Sequence, residues 1–555
     1  MYIELHSRSA FSFLEGASVP EELAEACHTH QMPAMALLDR DGVYGAARFH
    51  LAMKKLGLQA HIGAEITSLL PRVPLSDNVA PPRVPLLCAS RAGYQNLCRL
   101  VTRMKLRVPK YPATLPRQTK KAPTEELLTA SQAIASTDDL TEFSSGLICI
   151  TGGDEGPLAY ALVHGGMSEA RRTLERLTEI YGCDNVYVEL QRHYNRAQES
   201  RNQAAIELAH SLKLPLLATQ GAQYARPEER QILDVFTCIR HHRHLDTAGQ
   251  LLASNSERYI KAPQQMLSLF ADLPEAIANT PELSSRLSFT LNDLGYKFPS
   301  YPVPHGETMS SFLRERTYEG ARDRYQRPGQ NELWQRARRQ IERELALIER
   351  LELEGYFLIV WDIVRYCREH DILVQGRGSA ANSAVCYSLG ITAVDPIRME
   401  LLFERFLSEE RGEWPDIDLD LPSGDQREQA IQYVYARYGK LGAAMTANVI
   451  TYRGRSAARE VGKVLGFDEE TLARLASLVS SWEYKDPGDT LERQFHDAGF
   501  ELQQPRIHKF FELCVAVQDL PRHLGQHSGG MVICQGQLDS VVPLEPATMP
   551  GRVVV

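Results

Sequence analysis

Over the first 260 residues, short apolar runs alternate with amphipathic stretches. Residues 2–6, 34–38, 83–89, 147–151, 186–190 and 215–219 read as strands, and 20–30 and 201–212 as helices. Strands that recur with helices between them predict a parallel sheet or barrel, whose functional groups gather at the strand C-terminal ends. Residues 107–145 carry Pro, Thr, Ser and Lys without sustained periodicity and read as a partly disordered surface insertion. Pro299, Pro302, Pro304 and Gly306 mark a linker. After it, residues 333–353 predict a long charged helix with Ala337, Ile341, Leu345 and Ile348 on one stripe. Tyr356, Phe357, Ile359, Val360, Ile363, Val364 and Cys367 predict a second, more buried helix.

The stretch Pro415-Asp416-Ile417-Asp418-Leu419-Asp420 keeps a different period. At the two-residue repeat of a strand its three carboxylates share one face and its two aliphatics the other. Carboxylates crowded in this way repel, and a bound cation relieves the repulsion; hard Mg²⁺ suits oxygen ligands. Two such ions about 4 Å apart can activate an attacking oxygen and stabilise a leaving one in phosphoryl transfer. An acidic edge strand on a solvated face is the alternative, and the low strand propensity of Asp weighs against it.

About 40 residues earlier, Gln375-Gly376-Arg377-Gly378-Ser379-Ala380-Ala381-Asn382-Ser383 follows a short strand at 372–374 and precedes an apolar run at 384–389. This is strand, glycine loop, helix. Gly376 and Gly378 permit close backbone approach, a helix N-terminus offers N–H groups, and Arg377, Ser379 and Ser383 add donors, so the loop is expected to hold a triphosphate. A tight turn with an N-cap serine is the alternative. The loop lacks the Gly-Lys-[Ser/Thr] of a Walker motif. A phosphate cradle beside metal-binding carboxylates is what nucleotidyl transfer requires. Further on, Arg455, Arg459 and Lys463 recur at i, i+4 and i+8 on a predicted helix at 455–465. They suit sequence-blind contact with a DNA phosphate backbone, or else form a solvated face. His241-His242-Arg243-His244 follows a predicted helix and reads as a basic helix C-terminus.

Composition narrows the setting. A chain of 555 residues holds several domains. Its 43% hydrophobic and 24% charged residues are ordinary for a soluble protein. A net charge of −9 confines any nucleic-acid site to a local basic patch. Ten cysteines without a CxxC pair argue for reduced thiols, a cytoplasmic setting and no zinc module. There is no apolar run of the roughly 18 residues that a membrane span needs. The N-terminus reads as a strand rather than a signal peptide. The closing Gly551-Arg552-Val553-Val554-Val555 reads as the start of a buried strand, so the chain is expected to be a piece of a longer one.

The run Tyr2-Ile3-Glu4-Leu5-His6-Ser7-Arg8-Ser9, then Leu38-Asp39-Arg40-Asp41-Gly42, Ile62-Gly63-Ala64-Glu65, and Thr219-Gln220-Gly221-Ala222-Gln223-Tyr224 resembles the PHP (polymerase and histidinol phosphatase) domain. The resemblance implies a distorted β/α barrel with metal ligands at these places. Here His-x-His is His6-Ser7-Arg8, Asp-His is Asp39-Arg40, and the late Asp-x-His is Gly221-Ala222-Gln223. Arg cannot ligate a metal, because it stays protonated and offers only donors. Arg8 and Arg40 are therefore expected to pair with Glu65 or Asp39 in place of metal, leaving His6, Arg8, Asp39, Arg40, Glu65 and Gln223 as a degenerate site without phosphoesterase or proofreading activity.

The glycine loop, Leu389-Gly390-Ile391-Thr392-Ala393-Val394-Asp395-Pro396, Leu402-Phe403-Glu404-Arg405-Phe406-Leu407 and the acidic stretch resemble the palm of C-family bacterial DNA polymerases, relatives of the polymerase III alpha subunit. The resemblance implies a multidomain α/β chain: PHP domain at 1–260, first part of a polymerase-beta-like palm at 270–430, helical thumb at 431–508 and a shortened second part of the palm at 509–555. It implies that Asp416 and Asp418 bind Mg²⁺ and that Gly378 and Ser379 meet a dNTP. Asp420 lies outside the metal set. The thumb would grip primer-template DNA, and His523 and His527 would make backbone or nucleotide contacts. The third catalytic aspartate, fingers and sliding-clamp contact would lie beyond Val555, leaving the chain inactive or very weak alone. The altered PHP ligands and the wording of Arg377-Gly378-Ser379-Ala380-Ala381-Asn382-Ser383 and Leu524-Gly525-Gln526-His527-Ser528-Gly529-Gly530 look more like the error-prone translesion branch and its mutasome partners than the replicative subunit. A PHP metallophosphoesterase and a non-catalytic DNA-binding scaffold are the further alternatives.

Overall fold

The computed structural model describes residues 1–71, 80–108, 132–292, 294, 296, 299–407, 416–479, 500 and 504–555. These fall into two packed units. One comprises Met1–Leu294, Met445–Gly530 and Asp539–Val555; the other comprises Gly295–Ala444 and Met531–Leu538.

The first unit is built on a six-stranded sheet in chain order: β1 (Ala34–Arg40), β2 (Gln59–Thr67), β3 (Arg83–Cys88), β4 (Leu147–Ile150), β5 (Val186–Leu190) and β6 (Leu216–Ala218). The sheet is mixed rather than parallel, because β3 runs antiparallel to both neighbours. Residues 2–6 do not form the expected strand. Within them only Glu4 bridges, to Met35, and the next bridge runs from Ser7 to Ala222. The Glu4 and Ser7 carbonyls accept from Ala36 and Leu38 at 2.9 and 2.8 Å, while Arg8 donates to the Ala222 carbonyl at 2.8 Å. Bridges three residues apart break the two-residue register of a strand, yet they lace this segment to β1 on one side and to the chain beyond β6 on the other. The sheet therefore curls as a half-barrel around the N-terminal segment.

Both faces of the sheet are covered. Met35, Leu37, Ile62, Ile66, Val84 and Val188 pack against helical Leu23, Phe49, Leu97 and Leu174. Their strand neighbours Ala36, Leu38, Leu87, Ile148, Tyr187 and Leu217 pack with Ile3, Leu5, Leu283 and Leu287. Strands buried on two faces read as continuous apolar runs, which is why the pattern was legible in the sequence. The helix Pro274–Arg286 supplies Leu283 and packs on β6. The expected boundary at 260 thus lies inside this unit, which runs to Leu294. Of the predicted insertion at 107–145, residues 109–131 lie outside the described residues. Its end is ordered: Thr137–Glu142 forms a helix capped by Ser136, with Leu140 buried.

The helices Arg230–His241, Gly454–Val464 and Pro505–Val517 share a second core of Val235, Phe236, Ala457, Val461, Phe510 and Leu513. Residues 445–530 therefore group with the N-terminal fold, and the boundary expected at 431 does not coincide with this division. His242, in the left-handed region at φ 52°, ends the helix Arg230–His241, and its N–H bonds back to Ile239. That is a helix C-terminus, as the His-rich run suggested.

The second unit is helical around Met309–Tyr325, Asn331–Arg350, Glu354–Glu369, Ala384–Ser388 and Asp425–Tyr438. Ala337, Ile341, Leu345 and Ile348 form the predicted stripe and pack with Phe357, Leu358 and Val385. The short strand falls at Gln375–Arg377 rather than 372–374, because Ile372 turns inward against Cys367 and Ala430.

Gly320 lies inside Met309–Tyr325, and a Cβ there would come within 1.9 Å of the Ser388 carbonyl oxygen. Alanine is favoured over glycine in a helix by about 1 kcal/mol, but forcing two backbones apart costs about 1–3 kcal/mol or more. Gly320→Ala is expected to destabilise the protein by about 1–2 kcal/mol in urea unfolding. A gain in stability would contradict this packing.

Candidate active site

Two acidic sites occupy different units, and their carboxylates are satisfied differently.

In the first unit the former ligand positions form a buried ionic cluster. Glu65, at the C-terminal end of β2, is 1% exposed. One of its oxygens accepts from Arg8 Nη2 at 2.8 Å and Arg8 Nε at 3.1 Å, and contacts His6 Nε2 at 2.7 Å. The other lies 3.5 Å from Arg83 Nη1. The second ring nitrogen of His6 meets Glu189 Oε1 at 2.7 Å. Arg8 also pairs with Glu155 and Glu15. Glu15 is further held by Arg83 at 2.5 Å, Arg240 at 2.6 Å and Arg40. Burial alone would raise the Glu65 carboxyl, but Arg8, His6 and Arg83 bring it down to about 2. Burial opposes a charged His6, yet Glu189 and Glu65 lift its imidazole to about 10.

The expected pairing of Arg8 with Glu65 is present. That expected for Arg40 is not, because Arg40 pairs with Glu15 and Asp41 instead of Asp39. Asp39 is satisfied without a cation: Ser9 N, Ser9 Oγ, Ser12 Oγ and Gly45 N donate to it at 2.8–3.0 Å. Gln223 meets its surroundings through its backbone, donating to the Arg258 carbonyl and accepting from Ala17. Sequence reasoning missed Glu15, Arg83, Glu155 and Glu189, which come from separate segments and carry no shared motif. With guanidinium groups on Glu65, these residues do not fit a metal ion.

In the second unit, Gln375–Arg377 pairs antiparallel with Asp418–Asp420, placing Gly376 opposite Leu419 and Arg377 opposite Asp418. The pairing brings the glycine loop and the acidic stretch together. Pro415 lies outside the described residues; Asp416, Asp418 and Asp420 are exposed and alternate with half-buried Ile417 and Leu419, as the period predicted. Gly378 takes φ +71°, and a Cβ there would stand 3.6 Å from Asp418 Oδ2. Gly378 therefore sits directly beside that carboxylate, in a backbone conformation that side-chain-bearing residues rarely adopt. Arg377 spans the acidic face, with Nε 2.8 Å from Asp420 and Nη1 3.5 Å from Asp418. Tyr356, read from sequence as core, accepts the Ile417 N–H at 2.8 Å and so anchors the backbone between Asp416 and Asp418.

Two expected phosphate contacts are corrected here. Ser383 is fully buried, donates to Glu344 at 2.8 Å and accepts from Cys386 N as the helix N-cap. Gly376 is buried; its N–H goes to the Ile391 carbonyl at 2.7 Å, and a Cβ would strike that same oxygen at 2.6 Å. Both residues serve packing. Arg377 and Gly378 are exposed and Ser379 is half-buried, so these three remain open to a ligand.

Arg455, Arg459 and Lys463 lie exposed on one face of Gly454–Val464, opposite buried Ala457, Ala458 and Val461. His523 and His527 are exposed on the strand Pro521–Ile533.

A pH dependence follows from His6. Its pKa rises from 6.5 unfolded to about 10 folded, so its contribution is complete below pH 6.5 and is lost as pH climbs to 10. Glu65 acts in the opposite sense: its contribution is present above 4.5 and is lost as pH falls toward 2. Unfolding free energy is expected to decline between pH 6.5 and 10, and His6→Gln should remove the part of that slope due to one proton. An unchanged slope in urea titrations of the variant would contradict the imidazolium assignment.

Residues 4–193 match the PHP domain family, and residues 311–555 match the bacterial DNA polymerase III alpha NTPase domain. The error-prone DNA polymerase of Mycolicibacterium paratuberculosis is 42% identical over 557 residues, spanning 100% of this chain and 48% of that protein. That of Mycobacterium bovis is 41% identical, again over 100% of this chain and 48% of the relative. The Brucella abortus relative is 38% identical over 99% of this chain and 47% of its own length. The chain spans about half the length of the curated relatives it matches. The chain thus carries, in order, a stretch that matches the PHP domain and one that matches the polymerase III alpha NTPase domain, and at about 40% identity along its whole length it is similar to the N-terminal portion of error-prone DNA polymerases.

Proposed function

We propose that this chain carries the nucleotide-binding and metal-binding part of an error-prone DNA polymerase active in translesion synthesis. The observation that carries this reading is the pairing of Arg377 with Asp418, which sets the open glycine of the loop beside the acidic strand. The reaction is addition of a deoxynucleotide to a primer 3′-hydroxyl with loss of pyrophosphate.

Asp416 and Asp418 would hold Mg²⁺: both are exposed carboxylates with hard oxygen donors, and the pair that Arg377 makes with Asp418 is itself exposed. When bound, Mg²⁺ supplies charge neutralisation at the phosphate oxygens and a more acidic primer hydroxyl. The chain's own contribution is placement. The Gly378 and Ser379 N–H groups and the Ser379 hydroxyl bind the triphosphate, Arg377 offers a guanidinium to it, and Tyr356 fixes the strand that carries the carboxylates. Arg455, Arg459 and Lys463 bind the duplex backbone of primer-template DNA. The domains would be a PHP scaffold at 1–260, a palm at 270–430 and 509–555 and a thumb at 431–508, in a cytoplasmic enzyme that meets a sliding clamp and mutasome proteins through other segments. The Arg8–Glu65 pairing disfavours a metallophosphoesterase in the PHP domain.

Primer extension with Mg²⁺ by the polypeptide that carries this chain tests the reading. Asp416→Ala and Asp418→Ala should each lower kcat by about a thousandfold, because they remove several kcal/mol of charge stabilisation at about 1.4 kcal/mol per tenfold. Extension that persists in the double variant would exclude these carboxylates. Arg455→Ala/Arg459→Ala/Lys463→Ala should weaken duplex binding alike on all sequences and reduce the salt slope by about one per cation removed. An unaltered slope would leave that face solvated only.

A further inference from the structure

The helix Ala384–Ser388 has its N-terminus occupied from within. Glu344 lies on Asn331–Arg350, inside the apolar stripe of Ile341, Leu345 and Ile348, and is 0% exposed. One carboxylate oxygen accepts from Ala384 N at 3.0 Å and Gln340 Nε2 at 3.0 Å. The other accepts from Ser383 Oγ at 2.8 Å and Val385 N at 3.0 Å. The next amide, Cys386 N, is taken by Ser383 Oγ at 3.0 Å. The donors that a phosphate would use at a helix N-terminus are therefore already used by an internal anion. A carboxylate in an apolar stripe persists only with such complete satisfaction.

The loop between this buried anchor and the acidic strand is short. Gly378–Asn382 is a single 3₁₀ stretch, closed by Asn382 Nδ2 donating to the Ser379 carbonyl at 2.9 Å. One end is pinned by Glu344 through Ser383 and Ala384. The other end enters the strand that pairs with Asp418. Between the two pins lies the turn at exposed Gly378 and half-buried Ser379.

We infer that Glu344 is a positioning residue for the incoming nucleotide: it stands where a phosphate would bind at that helix, and by holding the helix start it aims the Gly378–Ser379 turn at a triphosphate next to Asp418. The inference rests on the nucleotide reading above and adds a residue that touches no substrate. Burial pushes the Glu344 carboxyl up while its four donors pull it back, leaving it at about 7. The geometry makes the isosteric amide a sharp probe. Whichever way Glu344→Gln turns, its NH₂ faces a backbone N–H, at either Ala384 or Val385.

The test is Mg²⁺-dependent binding of a fluorescent dNTP by the whole chain well below its unfolding temperature, together with amide hydrogen exchange over residues 376–386. Glu344→Gln should weaken dNTP binding at least tenfold and speed exchange of that segment at least tenfold. Duplex DNA affinity should change less than twofold. Leu313→Ala, a core substitution elsewhere in the same unit, should lower the melting temperature without changing dNTP affinity. Unchanged exchange in Glu344→Gln, or faster exchange with unchanged dNTP affinity, would overturn the role of Glu344 alone. Failure of the unmutated chain to bind Mg²⁺–dNTP would overturn the nucleotide reading, and Glu344's role with it.

Discussion

A carboxylate withdrawn from water must be met by a cation or by several hydrogen-bond donors, and much of this chain is arranged around that constraint. Glu65 is met by guanidinium and imidazole groups, Asp39 by two serine hydroxyls and two backbone amides, and Glu344 by two backbone amides, a hydroxyl and a glutamine. Asp416 and Asp418 lie in water, with Arg377 reaching Asp418 at 3.5 Å from a side chain that is itself 59% exposed. Exposed pairs of that kind are worth less than about 1 kcal/mol, so a divalent cation can compete for these oxygens where it cannot compete at Glu65.

The ionic cluster of the first unit joins segments that are far apart in the sequence. His6 and Arg8 are on the segment that laces β1 to the chain beyond β6, Glu65 ends β2, Arg83 begins β3 and Glu189 is on β5. Their mutual pairing ties the C-terminal rim of the sheet together, the position where a barrel of this kind gathers its functional groups. Breaking one member of a buried pair costs about 3–5 kcal/mol, since its partner is left buried and charged. The same unit includes the helices around Val461 and Phe510, so the cationic face of Arg455, Arg459 and Lys463 rests on the PHP-type core through Phe236 and Val235.

Much of this was legible in the residues. Two-sided burial wrote β1 and β3–β6 as apolar runs, and the alternation at 416–420 gave the exposed carboxylates directly. What failed depended on distant partners. Residues 2–6 look like a strand, but only Glu4 among them bridges, to Met35. Ser383 and Gly376 look like phosphate contacts, but Glu344, 39 residues upstream of Ser383, and the Ile391 carbonyl claim them. The available signal was Glu344 itself: a charge at i+3 from Ile341 and four before Ile348, on the buried side of an amphipathic helix, must have a partner. Tyr356 offered no such signal, because a tyrosine in an apolar run is ordinarily core and its hydroxyl contact with Ile417 is set only by the fold.

The most direct measurement is Mn²⁺ binding, followed by electron paramagnetic resonance, in the unmutated chain, Asp416→Ala/Asp418→Ala and Glu65→Gln. The account predicts binding that disappears in the Asp416/Asp418 variant and survives in Glu65→Gln. Binding retained by the Asp416/Asp418 variant and lost with Glu65→Gln would place the metal in the PHP-type domain and contradict the account.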